Sequence, residues 1–229
     1  MSPSPTRAAI ASVLAGLALG ACRSAPRGVT STAPRPAAQA QGEQAAIAEA
    51  RADSARYPYT AADVRFMLGM IPHHAQAIVM AGWAPSHGAS ASVQTLAARI
   101  INAQQDEIRT MQQWLRDRRQ PVPEPDTMAM PMMHDSSGHA MLMPGMLTDA
   151  QMRQLDAARG PDFDRLFLTF MIRHHQGAVS MVQDLFNTYG AAQDRATFKL
   201  ASDINVDQST EIARMQQMLA ALVFDTPSR

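Results

Sequence analysis

A chain of 229 residues is long enough for one domain or two small ones with a sizeable core. Lys plus Arg and Asp plus Glu balance at 20 each, so no net field directs the chain to nucleic acid or to a strongly acidic partner. Aromatics stand at 5% while Met reaches 17 residues, and long Ala, Gln, Leu and Met stretches without strand alternation indicate an all-α protein.

The N-terminus has the form of a secretion signal. Arg7 precedes an apolar run, Ala8 to Ala21, too short to span a bilayer comfortably. It ends Leu19-Gly20-Ala21-Cys22, which resembles a bacterial lipobox. Residues 1–21 are thus expected to be a lipoprotein signal peptide, with Cys22 lipidated and anchoring the chain to a membrane. Cys22 is the single Cys, which excludes an internal disulfide. The expected location is the periplasm or cell surface, on the outer membrane of a Gram-negative cell, because Arg23 rather than Asp follows the Cys. Residues 22–56 read as a flexible Pro, Ala, Ser, Thr and Gly tether, within which Ala46 to Arg56 is compatible with a weakly amphipathic helix.

The domain proper spans 57–224. Its first half, 57–119, opens with Thr60 as helix cap and Asp63 in the capping-box position. This helix runs to about Ala84, before Pro85 and Gly88. Pro72 inside it cannot donate to the carbonyl of Leu68 and is expected to kink it. A second helix, about Ser92 to Arg118, carries Ile100, Gln104, Glu107, Ile108, Met111 and Leu115 on one stripe and stops at Pro121 and Pro123. The linker, 120–148, holds Met128, Met130, Met132, Met133 and His134, then His139, Met141, Met143 and Met146, among Pro, Gly, Ser and Asp. In the second half, 149–224, Thr148 caps a short helix to about Arg159. A third long helix follows from about Asp162 to Tyr189 and a fourth from about Asp194 to Leu222.

The long helices repeat. Phe66-Met67-Leu68-Gly69-Met70-Ile71-Pro72-His73-His74 returns as Phe167-Leu168-Thr169-Phe170-Met171-Ile172-Arg173-His174-His175, with Asp63 and Asp164 three residues ahead and Met80 and Met181 behind. Gln104, Glu107, Ile108 and Met111 return as Gln208, Glu211, Ile212 and Met215. Two copies of one helical hairpin make a four-helix bundle.

Steps of three and four residues share a helix face, so His73, His74, Met70 and Met80 form one stripe, and His174, His175, Met171 and Met181 its counterpart. Four buried imidazoles need acceptors, carboxylates or a metal. Glu107 and Glu211, with Met111 and Met215, lie on the facing stripes. Imidazole and thioether suit soft or borderline metals, copper first, and inward-pointing ligands on facing helices are how bundles build metal sites. Two plainer readings stand beside this: a structural His–Glu hydrogen-bond network, and Met as core filler. The linker has no regular apolar face, so its Met and His residues read as an exposed, flexible capture loop for Cu(I) or Ag(I). A His-Glu-x-x-His zinc motif is absent, as is the Glu-x-x-His of di-iron bundles. No Ser or Cys stands beside a base in sequence.

Through Met70-Ile71-Pro72-His73-His74, Pro144-Gly145-Met146, Phe163-Asp164-x-x-Phe167-Leu168, Met171-Ile172-x-His174-His175-x-Gly177-Ala178 and Gln208-x-x-Glu211-Ile212-x-x-Met215, the chain resembles the bacterial domain-of-unknown-function 305 family over roughly Tyr57 to Leu222. The resemblance implies a ferritin-like four-helix bundle, secretion, and a place among periplasmic proteins that bind copper and support copper resistance, with His73, His74, His174 and His175 and nearby Met as ligands. The expected function is sequestration or transfer of copper, or another transition metal, with a copper donor or acceptor protein as partner. The competing expectations are a metal-dependent oxidase on the same scaffold, which needs an open coordination position, and a non-catalytic interaction bundle.

Overall fold

The computed structural model describes residues 41–42, 44–45, 48–49, 52, 58–123, 132–134 and 140–224, and for 132–134, 140, 141, 223 and 224 the backbone alone. The signal segment, Cys22, Met128, Met130 and His139 lie outside the described residues. The chain divides into two units, Met1–Gly42 and Glu43–Arg229, and the helical bundle belongs wholly to the second. Residues 44, 45, 48, 49 and 52 are helical and exposed, as their Ala, Gln and Glu content favours.

Four long helices make the body: α1 Ala61–Gly82, α2 Ala91–Asp117, α4 Gly160–Asn187 and α5 Arg195–Phe224, with a short α3, Asp149–Ala157, before α4. Helix α1 packs chiefly on α2, and α4 on α5; α1 and α4 meet between the two hairpins. The linker adds one element to the expected all-helical chain, an antiparallel pair of three-residue strands, β1 Met132–His134 and β2 Ala140–Leu142. Among the described residues no helix is long and apolar enough to cross a membrane.

Thr60 and Asp63 form the capping box at the start of α1. The helix then runs uninterrupted through Pro72. Pro removes one intrahelical hydrogen bond there, but Met70, Ile71, His73 and His74 on either side are wholly buried and hold the turn by packing.

The core divides into two apolar clusters. One joins the start of α1 (Phe66, Met70), the end of α2 (Met111, Leu115), the end of α4 (Val182) and the start of α5 (Ile204), with Met181 packed against it. The other joins the opposite ends, with Met80, Ile100, Phe167, Met171 and Met215. The repeat relates them: Met70, Met111 and Met181 on one side correspond to Met171, Met215 and Met80 on the other. Along each helix the His pairs fall between the two clusters.

Each repeat also ties down the other. Asp63 Oδ1 accepts a 2.7 Å hydrogen bond from the Ala192 N–H just before α5, and Asp164 accepts from the Ser90 N–H, the cap of α2, at 3.1 and 3.2 Å. Both carboxylates are buried, so the charge of each serves the hairpin turn of the opposite half.

Candidate metal centre

The midline of the bundle carries a symmetric row of side chains. His74 Nε2 lies 2.7 Å from Glu107 Oε2 on one side, and His175 Nε2 lies 2.7 Å from Glu211 Oε2 on the other. Between them His73 and His174 face each other across α1 and α4 with ring centroids 3.9 Å apart. Within each pair the centroids are 6.4 Å (His73–His74) and 6.3 Å (His174–His175) apart. All four rings are fully buried. The spacing follows from the helix: adjacent His residues diverge by about 100°, so one of each pair turns to the other repeat and the other to the Glu of its own hairpin.

This row is short of partners. His73 Nε2 donates to the Pro144 carbonyl at 2.9 Å and His175 Nε2 to Glu211. The other six ring nitrogens have no hydrogen-bond partner among the described residues, nor does either polar atom of the Gln104 amide. His74 and Glu107 touch at ion-pair distance, yet their approach is not aligned as a hydrogen bond, so the pair is a contact only. A buried polar atom left unpaired costs about 1–3 kcal/mol.

Burial favours the neutral form of three of the rings, His73, His174 and His175. Burial, with the neighbouring His74 adding to it and the Pro144 carbonyl opposing it, lowers His73 to about 3. Burial holds His174 well below its ordinary value, His73 and His175 acting in the same direction. His175 is lowered by burial against the pull of Glu211. Neutral imidazoles are the form that binds metals. Burial and then the carboxylates of Glu107, Glu211 and Asp203 push Asp207 up, so these acidic groups lie near enough to act on one another.

The bundle thioethers lie one turn from this row. Met70 and Met171 stand at i−3 and i−4 of their His pairs, Met111 and Met215 at i+4 of the Glu residues, and these four with Met80 are fully buried. Met181 is half-buried. No three His, Cys, Asp or Glu side chains among the described residues converge as a ready cage. The donor set nonetheless suits a soft ion satisfied by two or three imidazole and thioether ligands.

The linker departs from expectation at its end. Met143 and Met146 are buried, 2% and 5% exposed, instead of belonging to an exposed loop. The segment 143–147 is a strap laid across α1 and α4. Gln76 clasps it, donating to the Leu147 carbonyl at 3.0 Å and accepting from the Leu147 N–H at 2.8 Å. Gly145 has φ +77°, and a methyl on Gly177 would lie 1.9 Å from the Pro144 oxygen. Two glycines thus let the strap backbone touch α4, and burial follows from that approach, which needs no apolar period. Met132, Met133 and His134 fall on β1 and Met141 on β2, where the backbone alone is described.

Four buried polar residues lie outside the repeated stripes: Gln76, His87, Asp194 and Thr197; Asp194 accepts from Trp114, Arg118 and Thr197 at the start of α5. The His87 Nε2 lies 2.9 Å from the Asp156 carbonyl and 3.0 Å from its carboxylate, pinning the α1–α2 turn to the end of α3. Its sequence signal, a lone His between Ser and Gly, is too weak to single it out.

A profile described as Domain of unknown function (DUF305) matches residues 63–219. A DUF305 fragment from Deinococcus radiodurans is 30% identical, with a TM-score of 0.60 over 72% of this chain and 99% of its own. A DUF305 protein from Streptomyces coelicolor is 29% identical, with a TM-score of 0.56 over 70% of this chain and 93% of its own. CopM in its Cu(I)-bound form is 32% identical, with a TM-score of 0.52 over 69% of this chain and 96% of its own, and CopM is also known in Cu(II)- and Ag-bound forms. No curated protein matches by sequence. The match over most of the bundle, joined to the paired His motifs at its midline, makes this chain a member of the DUF305 family.

Proposed function

We propose that this protein is a copper-binding protein of the cell envelope that sequesters or hands over Cu(I), with Ag(I) as a chemical mimic, and that it is a binder rather than an enzyme. The observation that carries the reading is the midline row: four buried imidazoles, three of which, His73, His174 and His175, burial holds toward the neutral form, with six ring nitrogens unpartnered among the described residues. A purely structural His–Glu network would leave few such atoms, because an unpaired group costs stability that an apolar side chain would not. Each neutral ring keeps one lone pair, which a bound ion would take up. CopM, a family relative solved with Cu(I), Cu(II) and Ag, supports the same choice.

In this reading His73, His74, His174 and His175 hold the ion, with Met70, Met171, Met111 and Met215 offering thioethers one turn away. Glu211 orients His175 through its hydrogen bond, Glu107 lies against His74, and both, with Asp207, give a cation an attractive approach. The linker Met and His residues capture ions ahead of the bundle. Copper is cargo here, and the chain performs no chemistry on it. The oxidase alternative requires an open coordination position and redox turnover, and no feature of the site calls for it.

The test is competition with a Cu(I) chelator. Wild type should hold Cu(I) more tightly than His74→Ala/His175→Ala by at least about tenfold, a difference of about 1.4 kcal/mol, and copper should raise the unfolding temperature of wild type more than that of the variant. Equal affinity in both would end the reading. Envelope anchoring rests on Leu19-Gly20-Ala21-Cys22, and the Streptomyces relative is described as secreted. Cys22→Ser with the signal otherwise intact should move the protein from the membrane fraction to the soluble fraction; unchanged fractionation would remove the lipid anchor.

A further inference from the structure

The geometry points to a soft-cation site at Gly69, where the linker enters the bundle, formed by the thioethers of Met143 and Met181 with the ring of His73.

Gly69 stands in the interior of α1, where Gly costs about 0.5–1 kcal/mol relative to Ala. A methyl group there would lie 3.1 Å from Met143 Sδ and 3.4 Å from Met181 Cε. The missing side chain therefore makes a notch in which the sulfur of Met143 from the strap and the terminal methyl of Met181 from α4 come together. His73 lies four residues on, one turn along the same face. Its Nε2 is held by the carbonyl of Pro144 at 2.9 Å, the residue after Met143, so the ring is fixed beside the strap. Its Nδ1 is buried and has no hydrogen-bond partner among the described residues.

The second repeat has no such place. Phe170 stands where Gly69 does, with the Arg173 guanidinium 5.7 Å from its ring centre. Met80, the counterpart of Met181, is fully buried in the apolar cluster against which Phe170 packs. The strap crosses once, and it gives one half of a symmetric bundle a donor set the other half lacks. Packing alone would favour Ala at position 69, with the strap side chain trimmed to suit.

Two thioethers and one imidazole are neutral, soft donors. A neutral set in a buried place suits a singly charged ion, since burying a larger charge without carboxylates costs far more. The site therefore selects Cu(I) or Ag(I) over divalent ions. With Nε2 held by Pro144, His73 has one lone pair and serves one ion at a time, so the site stands between the linker and the His row as a transfer point from one to the other. The site presupposes the copper-binding function proposed for the bundle and is the place where an ion first meets it.

The test uses full-length protein carrying ¹³C-methyl-labelled Met and ¹⁵N-ring-labelled His, titrated with Ag(I), which is diamagnetic. The two resonances are assigned from Met143→Leu and Met181→Leu, which keep apolar volume and remove sulfur. In wild type both should shift together, at the same silver equivalents. Gly69→Ala, which meets only flexible side-chain ends and should fold, is expected to weaken that paired step at least tenfold. If the Met143 and Met181 resonances stay still while other Met or His resonances move, the notch is packing and the wider copper reading survives. A Gly69→Ala variant that titrates like wild type would equally reduce the notch to packing. If no Met or His resonance responds, both readings fall.

Discussion

Gln76 and Gly177 occupy the same position in the two His-His motifs, and both serve the single strap 143–147. Gln76 holds the Leu147 peptide through two hydrogen bonds, while Gly177 supplies, by having no side chain, the space in which Pro144 rests on α4. A symmetric pair of helices thereby binds one asymmetric segment, and Met143 and Met146 are drawn into the interior.

Gly177→Ala should accordingly be severe. Its methyl would meet the Pro144 oxygen at 1.9 Å, a backbone contact that no rotamer relieves. The expected loss is about 3 kcal/mol, read from denaturant unfolding, with protease cleavage newly appearing around residues 143–147 while helical circular dichroism persists. A loss below about 0.5 kcal/mol, the range of neutral surface changes, would mean that the strap does not lie against α4.

The two Asp residues that open the repeats should differ in weight. Asp63 serves the capping box of α1 and also the buried Ala192 N–H, so Asp63→Ala should cost about 2–4 kcal/mol. Asp164 accepts from the Ser90 N–H in a partly buried place, so Asp164→Ala should cost about 1 kcal/mol. Chemical denaturation of both variants checks the order, and a reversed order would contradict the cross-tie.

Acid should destabilise the apo protein through the His row. His73, His174 and His175 have folded values below the ordinary 6.5, His73 at about 3. Between pH 6.5 and about 3 the unfolded chain binds protons that the folded chain refuses, so stability is present above 6.5 and is lost as pH falls through that window. The unfolding temperature should drop steadily from about pH 7 to about pH 4.5, and His174→Gln should flatten that dependence. Protons compete with copper for the same lone pairs, so Cu(I) affinity should fall over the same range.

The linker divides into two functional parts. Replacing residues 124–139 with a short Gly/Ser spacer should lower the number of bound Cu(I) ions while moving the unfolding temperature by no more than about 2–4 °C. Extending the deletion through Met146 removes Met143 from its buried place beside the notch, and Met146 with it, and should cost several times more. Calorimetry of the two deletions beside wild type decides it; equal thermal behaviour would return the whole linker to the solvent-exposed class.

Repetition and period in the sequence were enough for the architecture: the two hairpins, the Thr60 cap, and the His, Glu and Met stripes all follow from identities recurring at constant offsets, and helices form from local spacing. That Glu107 and Glu211 lie within reach of the His row was likewise legible, because both stand on inward stripes; which His each one meets was not. Three features awaited the tertiary structure. His73 faces His174 across the repeat because α1 and α4 meet, which no local pattern encodes. Asp63 and Asp164 reach turns of the opposite half, 129 and 74 residues away in the chain. Met143 and Met146 are buried by the contact of two glycine backbones rather than by a helical period, so composition alone placed them in solvent. Local periodicity records which face of a helix turns inward; close backbone approach between distant segments leaves only a scattered glycine as its trace, and its meaning appears once the segments are side by side.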